Sequence, residues 1–422
     1  MDKQIYREYV AILKEELQPA MGCTEPIAVA YCAALARQTL GALPETVEVL
    51  ASANIIKNVK SVIVPNTNGM RGIAAAAAAG IVADNADAQL QVLAELTPEQ
   101  VESVGTYLQQ AAFTVGRSDK DYVFDIQVRV TAGTDSAFVE IAGFHTNVIR
   151  VEKNGTVLQH KDYQESAGQH TTDRSLLTVE NIIAFANEVE IADVQETLQR
   201  QIDLNWAIAE EGLRGDYGAN IGRILLQSYG TSVHNRAKAY AAAGSDARMN
   251  GCDLPVVINS GSGNQGLTAS LPVIVYAKEL GVTQQMLYRA LAVSNLVTIH
   301  LKTGIGSLSA YCGATAAGCG AAAGVTYLYG GQFREIAHTI VNAVAIDSGM
   351  ICDGAKASCA AKIASAVEAG LLGMQMHESQ FYGGDGIVVK GVENTIRNIG
   401  TLASEGMRET DRTIIRMMIQ EH

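Results

Sequence analysis

The spacing of hydrophobic residues changes along the chain and divides it into two parts. Residues 3–17 have apolar positions at helical spacing, and a second helical pattern follows the sequence MGCTEP, where Thr24 can cap and Pro26 falls in the first turn. Beyond residue 45, β-branched and polar residues alternate in five segments, with helical patterns at 72–83 and 97–112 between them. The five segments are ETVEVLAS, QLQVLAEL, DYVFDIQVRVTAG, SAFVEIAGF and TNVIRVEKNG. This first part is therefore predicted to be an α+β module.

A polar stretch, residues 159–175, is predicted to be a linker or exposed loop, and almost everything after it has helical spacing. The predicted helices are 178–188, 193–211, 216–243, 271–279, 283–299, 308–329, 332–346 and 356–372. We therefore predict an α+β fold in which an α+β module over 1–165, acting to close over a substrate, precedes an all-helical catalytic domain over 166–422. Helices within 1–40 could pack on either part.

Composition narrows the class of protein. The chain has 422 residues, of which 48% are hydrophobic and 18% charged, and its 40 glycines predict helices packed through small residues. The net charge of −13, without any block of Lys and Arg, excludes the basic surface expected of a nucleic-acid-binding protein. A small molecule is the expected partner.

A membrane span is not expected either. No charge occurs between Lys302 and Arg334, but this segment is rich in Gly, Ala, Ser and Thr, which favours a tightly packed buried helix. The first residues are charged and amphipathic, unlike a secretory signal, so we expect a cytoplasmic protein.

Seven cysteines in a cytoplasmic chain are not expected to form structural disulfides. Cys312 and Cys319 are seven residues apart in a helical pattern and should share one helix face. Cys352 and Cys359 flank an Asp-Gly turn, which predicts that a loop and the following helix bring them to a common point. Three such thiolates could hold an iron-sulfur cluster with one iron left open; the alternative is that the cysteines are small buried hydrophobic residues.

Two further segments are candidates for anion or substrate binding. Ser260, Ser262 and Asn264 lie among glycines directly before a helical pattern, an arrangement suited to a carboxylate or phosphate, although ordinary loops before helices look similar. Residues 54–72 could line a polar pocket, and surface loops share that composition too. The polar residues of this second segment include Lys57, Asn58, Asn66, Thr67, Asn68 and Arg71.

Cys23 stands directly before the second predicted helix, where the helix dipole is expected to lower the pKa of a thiol. A thiolate there would serve as a nucleophile or general base, whereas an inert cysteine is the alternative.

Five motifs in order resemble the L-cysteine desulfidase family, which is related to the iron-sulfur L-serine dehydratases. They run from Cys23 to about Lys362 and so cover most of the chain. One departure is Asn66, where a Gly is expected, and it puts the substrate-binding assignment of that loop in question. The motifs are MGCTEPIAVAY, KNVKSVIVPNT, SGSGNQG, LKTGIGSLSAYCGATAAG and GMICDGAKASCAAK.

The resemblance implies a lyase that converts L-cysteine to pyruvate, ammonia and hydrogen sulfide, with L-serine dehydration as the neighbouring activity, and a homodimer. It implies a 4Fe-4S cluster held by Cys312, Cys352 and Cys359, with Cys319 as the competitor for the first position. It also implies that Cys23 takes the Cα proton. The residues assigned to the amino-acid substrate are Ser260, Ser262, Asn264, Lys57, Asn58 and Thr67.

Two alternatives to this function remain open at this point. SGSGNQG resembles the substrate loop of pyridoxal-phosphate dehydratases, but the segment GTSVHNRAK lacks the lysine setting that such an enzyme needs. A non-catalytic iron-sulfur sensor would need a partner surface or a nucleic-acid domain, which the acidic chain does not indicate.

Overall fold

The computed structural model describes residues 1–163, 171–306, 308–376 and 386–420. A mixed sheet with helices is followed by a helical region, which confirms the predicted α+β fold class. The predicted boundary at 165 and residues 164–170 of the predicted linker lie outside the described residues. The strands are β1 (Pro19–Met21), β2 (Thr46–Ala51), β3 (Ala112–Arg117), β4 (Asp125–Ala132), β5 (Asp135–Ala142), β6 (Val148–Lys153), β7 (Thr156–His160) and β8 (Pro255–Val257).

Helices make up most of the remaining described chain, and those of the second half pack around one another. They are α1 (Lys3–Glu16), α2 (Thr24–Leu40), α3 (Ala53–Val59), α4 (Ile73–Ala83), α5 (Pro98–Gln110), α6 (Val179–Glu188), α7 (Ile191–Arg214), α8 (Ile221–Tyr229), α9 (Val233–Met249), α10 (Gly263–Leu280), α11 (Gln284–Ile305), α12 (Gly313–Leu328), α13 (Phe333–Ile346), α14 (Cys359–Gln375), α15 (Val392–Thr401) and α16 (Arg408–Gln420).

The main sheet has the order β3-β2-β4-β5-β6-β7, in which β2 and β3 run parallel and the other neighbours run antiparallel. Helix α2 packs on β4 and β5 and is itself covered by α4. A methyl group at Gly80 of α4 would overlap the backbone of Ala30 in α2, so the two helices meet backbone to backbone. The module thus has a hydrophobic core of its own.

One strand prediction in the module is wrong, and one predicted helix ends two residues early. The segment QLQVLAEL was predicted as a strand, but a 3-10 helix at Ala86–Gln91 and turns occupy it, because Gln89 adopts a φ of 47° and Val92 and Leu93 are buried consecutively. The helix predicted at 97–112 ends at Gln110, and β3 follows it. Residues 112–117 form a strand because they pair with β2, which is distant in sequence.

The helical pattern of the second half is largely confirmed, with three differences. The helix predicted over 271–279 is α10, which already begins at Gly263. The segment 216–243 forms two helices, α8 and α9, because Gly230 takes a φ of 80° and Ser232 caps the second helix. The helix predicted from residue 308 begins at Gly313, since the residues before it pair with another loop. Helices α3, α15 and α16 were not predicted.

Helices α1 and α2 belong to different cores. Tyr9, Ile12 and Leu13 of α1 are buried with the helices of the second half, whereas α2 is buried in the module. Between them, β1 pairs antiparallel with β8, which directly precedes the glycine-rich loop before α10. Cys23 follows β1 and therefore lies where the two parts meet.

The charge-free segment that raised the question of a membrane contains α12, which packs against α10, α11 and α14. Within the part of the chain that the structure describes, no helix is both long and apolar enough to cross a lipid bilayer.

Glycines set the distance between α12 and α14. A methyl group at Gly318 of α12 would overlap the carbonyl oxygen of Ala366 in α14, and one at Gly370 of α14 would overlap that of Gly318. The two helices therefore touch through their backbones. Both begin at cysteines that were predicted to bind the cluster, so this contact also fixes the distance between those cysteines.

We expect Gly318→Ala and Gly370→Ala each to lower the free energy of unfolding by about 1–3 kcal/mol, because the added methyl group forces the helices apart. Chemical denaturation followed by circular dichroism measures the loss. Gly105→Ala in α5 is the control, since the nearest atom to its methyl group would be Met70 Cε at 3.6 Å. Equal losses in all three variants would contradict this account of the packing.

Candidate active site

A cavity of about 110 Å³ lies where the module meets the helical region, and the starts of α2, α10, α12 and α14 form much of its wall. All the predicted site residues except Thr67 line it. The polar and sulfur-containing residues of the wall include Cys23, Glu25, Lys57, Asn58, Arg248, Ser260, Ser262, Asn264, Gln265, Lys302, Tyr311, Cys312, Cys352, Cys359 and Lys362.

A short antiparallel bridge brings Cys312 and Cys352 together. Tyr311 pairs with Ile351, and the amide N–H groups of the two cysteines donate across the bridge at 2.8 and 2.7 Å. Residues that flank a bridge pair project to the same face, so both thiols lie on one side of the two strands. Residues 40 positions apart in sequence thereby become neighbours.

The contact between these two thiols shifts their pKa values in opposite directions. Hydrogen bonding between them raises the pKa of Cys312 well above its ordinary value and lowers the pKa of Cys352 to about 6. The cations Lys57 and Lys362 add to the effect at Cys352. Since metals bind thiolates rather than thiols, Cys352 is already in the form that a metal requires at neutral pH.

Cys359 is the first residue of α14, and its Sγ lies 3.9 Å from the carbonyl oxygen of Gly354. Gly354 itself has a φ of 97°, a left-handed conformation that favours glycine, and its Cα closely approaches the backbone of Lys57. The Asp-Gly turn thus carries the chain from Cys352 into α14, as the sequence predicted, and both cysteines line the cavity.

Cys319 does not share a face with Cys312, and that prediction is wrong. Cys312 precedes the first turn of α12, so helical spacing does not relate the two residues. The thiol of Cys319 lies 3.8 Å from the carbonyl oxygen of Ile340 in α13, outside the cavity. Cys312 is therefore the one that stands beside Cys352.

The cavity is electropositive. Four helix N-termini face it, each with a partial positive charge, and the ammonium groups of Lys57, Lys302 and Lys362 lie in its wall. Burial lowers the pKa of Lys302 to about 8. Such surroundings stabilise thiolates and would also attract an anionic ligand.

The donor set fits an iron-sulfur cluster better than a single ion. Among the described residues, no three His, Cys, Asp or Glu side chains gather at a point suited to one metal ion. Three cysteines nevertheless line the same cavity, and the ligands of a multi-iron cluster stand further apart than those of one ion. Three partly exposed thiols in an electropositive pocket are therefore compatible with such a cluster.

Cys23 directly precedes α2 without a side-chain capping bond and is 1% exposed, and its Sγ donates to Glu25 Oε2 at 3.0 Å. Burial and the charge of Glu25 raise the pKa of Cys23 well above its ordinary value. The expectation that the helix dipole lowers this pKa is therefore wrong, because desolvation and a neighbouring carboxylate outweigh the dipole.

Sequence analysis missed Glu25, although it stands in the motif MGCTEP. Its carboxylate also accepts hydrogen bonds from Asn58 Nδ2 at 3.0 Å and from Thr24 Oγ1 at 3.1 Å. Burial alone would raise the pKa of Glu25, but the charge of His145 and the bond from Cys23 hold it below its ordinary value. The pair thus consists of a protonated thiol that donates a hydrogen bond to an ionised carboxylate.

The glycine-rich loop is held by its own contacts. Ser260 has a φ of 50°, its N–H donates to Glu16 Oε2 at 2.7 Å, and its hydroxyl donates to Asn259 Oδ1 at 2.8 Å. Ser262 stands directly before α10 and makes no capping bond with its side chain, and Asn264 is in the first turn. The donors of Ser260 are therefore committed, while those of the α10 start face the cavity.

The segment 54–72, which contains most of α3 and the loop after it, contributes less to the cavity than predicted. Lys57 Nζ forms an ion pair with Asp411 of α16 at 2.6 Å. Thr67 donates its hydroxyl to the carbonyl of Val64 at 2.7 Å and does not line the cavity. Asn66, which replaces an expected Gly, has a φ of 56°, and Asn is one of the few other residues that tolerates this conformation.

Three cavity cations escaped sequence analysis: Arg248, Lys302 and Lys362. Lys302 and Lys362 stand in two of the quoted motifs but received no role there, and Arg248 lies outside all five motifs. A second cavity of about 790 Å³ adjoins the first, shares Lys302 with it, and extends to Asp411 of α16. It connects the site to the C-terminal helices.

Comparison with known proteins agrees with this arrangement. A family model described as serine dehydratase alpha chain matches residues 87–416. A UPF0597 protein of Desulfitobacterium hafniense (strain Y51) is 56% identical over 418 residues, which cover 99% of this chain and 97% of that protein. A UPF0597 protein of Lachnoclostridium phytofermentans is 48% identical over 98% of this chain and 100% of its own. One of Treponema denticola is 44% identical over 100% of both chains. The family match includes all three cavity cysteines of the helical region, and the chain belongs to the serine dehydratase alpha chain family.

Proposed function

We propose that this protein is an iron-sulfur lyase that eliminates hydrogen sulfide from L-cysteine, leaving pyruvate and ammonia. The observation that carries the proposal is that Cys312, Cys352 and Cys359 line one electropositive cavity opposite a buried Cys–Glu pair. Membership of the serine dehydratase alpha chain family supports β-elimination as the reaction class.

Cys312, Cys352 and Cys359 would hold a 4Fe-4S cluster through their thiolates. When bound, a cluster with one iron free of protein ligands supplies a Lewis acid for the leaving group of the substrate. The chain's own contribution is to ionise Cys352, because the hydrogen bond from Cys312 and the charges of Lys57 and Lys362 lower the pKa of that thiol. Burial raises the pKa of Cys359, and the contact with Cys352 raises the pKa of Cys312, so these two thiols lose their protons when the cluster binds.

Cys23 is proposed as the general base at Cα. Its thiol must first lose its proton to solvent, and Glu25 Oε2, which accepts the hydrogen bond of the thiol at 3.0 Å, orients the sulfur. The thiolate then takes the Cα proton while the Cβ–S bond breaks and its electron pair leaves with sulfur. The remaining 2-aminoacrylate tautomerises and hydrolyses to pyruvate and ammonia, which balances the reaction with one water.

L-Serine dehydration is the second candidate, since the family description names serine dehydratase. The same residues would act, and water would leave in place of hydrogen sulfide. L-Cysteine is the first choice because a thiolate is the softer ligand and the better leaving group. Anaerobic assays of pyruvate with each amino acid, at matched concentrations, decide between them.

Serine variants of the cysteines separate cluster binding from catalysis. After anaerobic reconstitution, we expect the wild type to bind about four irons, and Cys312→Ser, Cys352→Ser and Cys359→Ser to lose most of this iron together with turnover. Cys23→Ser should keep the iron and lose turnover by about 10²- to 10⁴-fold, the size of a general-base contribution. Iron and acid-labile sulfide analysis, with a sulfide-release assay, measures both.

Cys319→Ser is the matched control, because its thiol faces α13 outside the cavity. It should keep both iron and turnover. Full iron content in Cys352→Ser, or iron loss in Cys319→Ser equal to that in Cys312→Ser, would overturn the assignment of the ligands.

The rate should rise with pH as the thiol of Cys23, whose pKa is raised, loses its proton. The negative charge of Glu25 is one cause of that raised pKa, so Glu25→Gln should move the rising limb to lower pH while lowering the maximal rate. Profiles of kcat/KM between about pH 7 and pH 10 measure the shift.

Glu368→Gln, which removes a partner of Lys238 at the far side of α14, is the control and should leave the profile unchanged. A limb that stays in place or moves to higher pH in Glu25→Gln would rule out the proposed coupling between Glu25 and Cys23.

A further inference from the structure

Arg248, near the end of α9, is a buried cation that has no carboxylate partner among the described residues. It is 3% exposed, and its guanidinium lies in the wall of the cavity. Nη1 donates to Asn264 Oδ1 at 3.0 Å and contacts the neighbouring Met249 Sδ at 3.4 Å, while Nε has no hydrogen-bond partner. A buried charge without a counterion is costly, which indicates that an anionic ligand completes this site.

Other cations of the cavity differ from Arg248 in this respect. Lys57 is paired with Asp411 at 2.6 Å and Lys362 with Asp353 at 2.7 Å. Glu25 is the carboxylate of the same cavity wall, and its oxygens accept from Cys23, Thr24 and Asn58 instead. Lys302 donates to the carbonyl oxygen of Gly306 and lies near Glu16. Arg248 is thus a buried cation of the cavity without an ion pair among the described residues, which leaves it available for a ligand.

The first turn of α10 accommodates the guanidinium of Arg248 and fixes its orientation. The guanidinium lies against this turn, where a methyl group at Gly263 would overlap Nε. Glycine at that position therefore lets the cation lie against the positive end of a helix, an arrangement that repels cations and favours anions. Asn264 Oδ1 fixes the orientation of the guanidinium from the same turn.

A carboxylate is the anion that suits this site. The guanidinium presents parallel N–H groups that match two carboxylate oxygens, and the first-turn amides of α10 add further donors. Ser260, one of the residues that sequence analysis assigned to anion binding, has already committed its N–H to Glu16 and its hydroxyl to Asn259. The cavity also contains Cys23 and Cys359, so a carboxylate bound here leaves Cα and Cβ among the reactive groups.

We propose that Arg248, oriented by Asn264 and the start of α10, binds the α-carboxylate of the amino-acid substrate. The inference rests on the proposed function and narrows it to substrates that carry a free carboxylate. Amines with the same leaving group, such as cysteamine, are excluded from productive binding. Arg248 acts in binding and takes no part in moving the proton.

Titration calorimetry of the anaerobic, cluster-loaded protein tests this with two thiols that differ at one end. 3-Mercaptopropionate carries a carboxylate and cysteamine carries an amine. The wild type should bind 3-mercaptopropionate more tightly by about 10- to 100-fold, the value of hydrogen bonds to a charged group. Arg248→Lys and Arg248→Gln should lower the affinity for 3-mercaptopropionate by a similar factor and should change the affinity for cysteamine by no more than about twofold.

Arg236→Lys is the matched control, since Arg236 lies on the same helix and pairs with Glu279 at the surface. It should bind both thiols as the wild type does. Unchanged affinity of Arg248→Gln for 3-mercaptopropionate, or an equal loss of both ligands, would overturn the proposal; the second result would mean that Arg248 only supports the structure.

Sulfide release from L-cysteine tests the proposed function separately. A wild-type protein that discriminates the two thiols through Arg248 but releases neither sulfide nor pyruvate would contradict the lyase and still support the carboxylate site. Turnover of L-cysteine that persists in Arg248→Gln without a rise in KM would contradict the carboxylate site and still support the lyase.

Discussion

The site depends on the close backbone contact between α12 and α14. Gly318 and Gly370 let these helices touch, and the same two helices begin at Cys312 and Cys359. The bridge between Tyr311 and Ile351 then adds Cys352 from the connecting loop. Small residues in the helical core are therefore a condition for the chemistry, because a wider separation would move the thiols apart.

Electrostatics follows from the same packing. Helices that converge with their N-termini on one cavity supply positive potential without using side chains, and α2, α10, α12 and α14 all do so. Thiolates, and a substrate carboxylate, gain from that potential. Cys23 lies outside the helical region's group of thiols, and burial and the charge of Glu25 raise its pKa. In the proposed function, thiols of one chain therefore serve two purposes because their surroundings differ.

Much of the fold could be predicted from the sequence, since period-two and helical patterns record which face of each element is buried. The pattern failed where contacts distant in sequence decide the structure, as for β3 beside β2 and for the start of α12. Of the candidate site, the cysteines and the α10 loop could be found because motifs mark them. Glu25 and Arg248 could not be found, because their importance depends on contacts with residues that are close only in the folded structure. Thr67 was included because polar residues surround it in the sequence, but its hydroxyl bonds to the backbone away from the cavity.

The central claim is that three thiols from two helix starts and one loop hold a cluster facing Cys23. Anomalous scattering at the iron absorption edge, recorded from anaerobically reconstituted crystals, tests it most directly. The account predicts one compact iron peak per chain, bounded by the Sγ atoms of Cys312, Cys352 and Cys359 and open toward Cys23. Iron bound elsewhere in the chain, or a cavity that remains without iron in a protein active on L-cysteine, would contradict it.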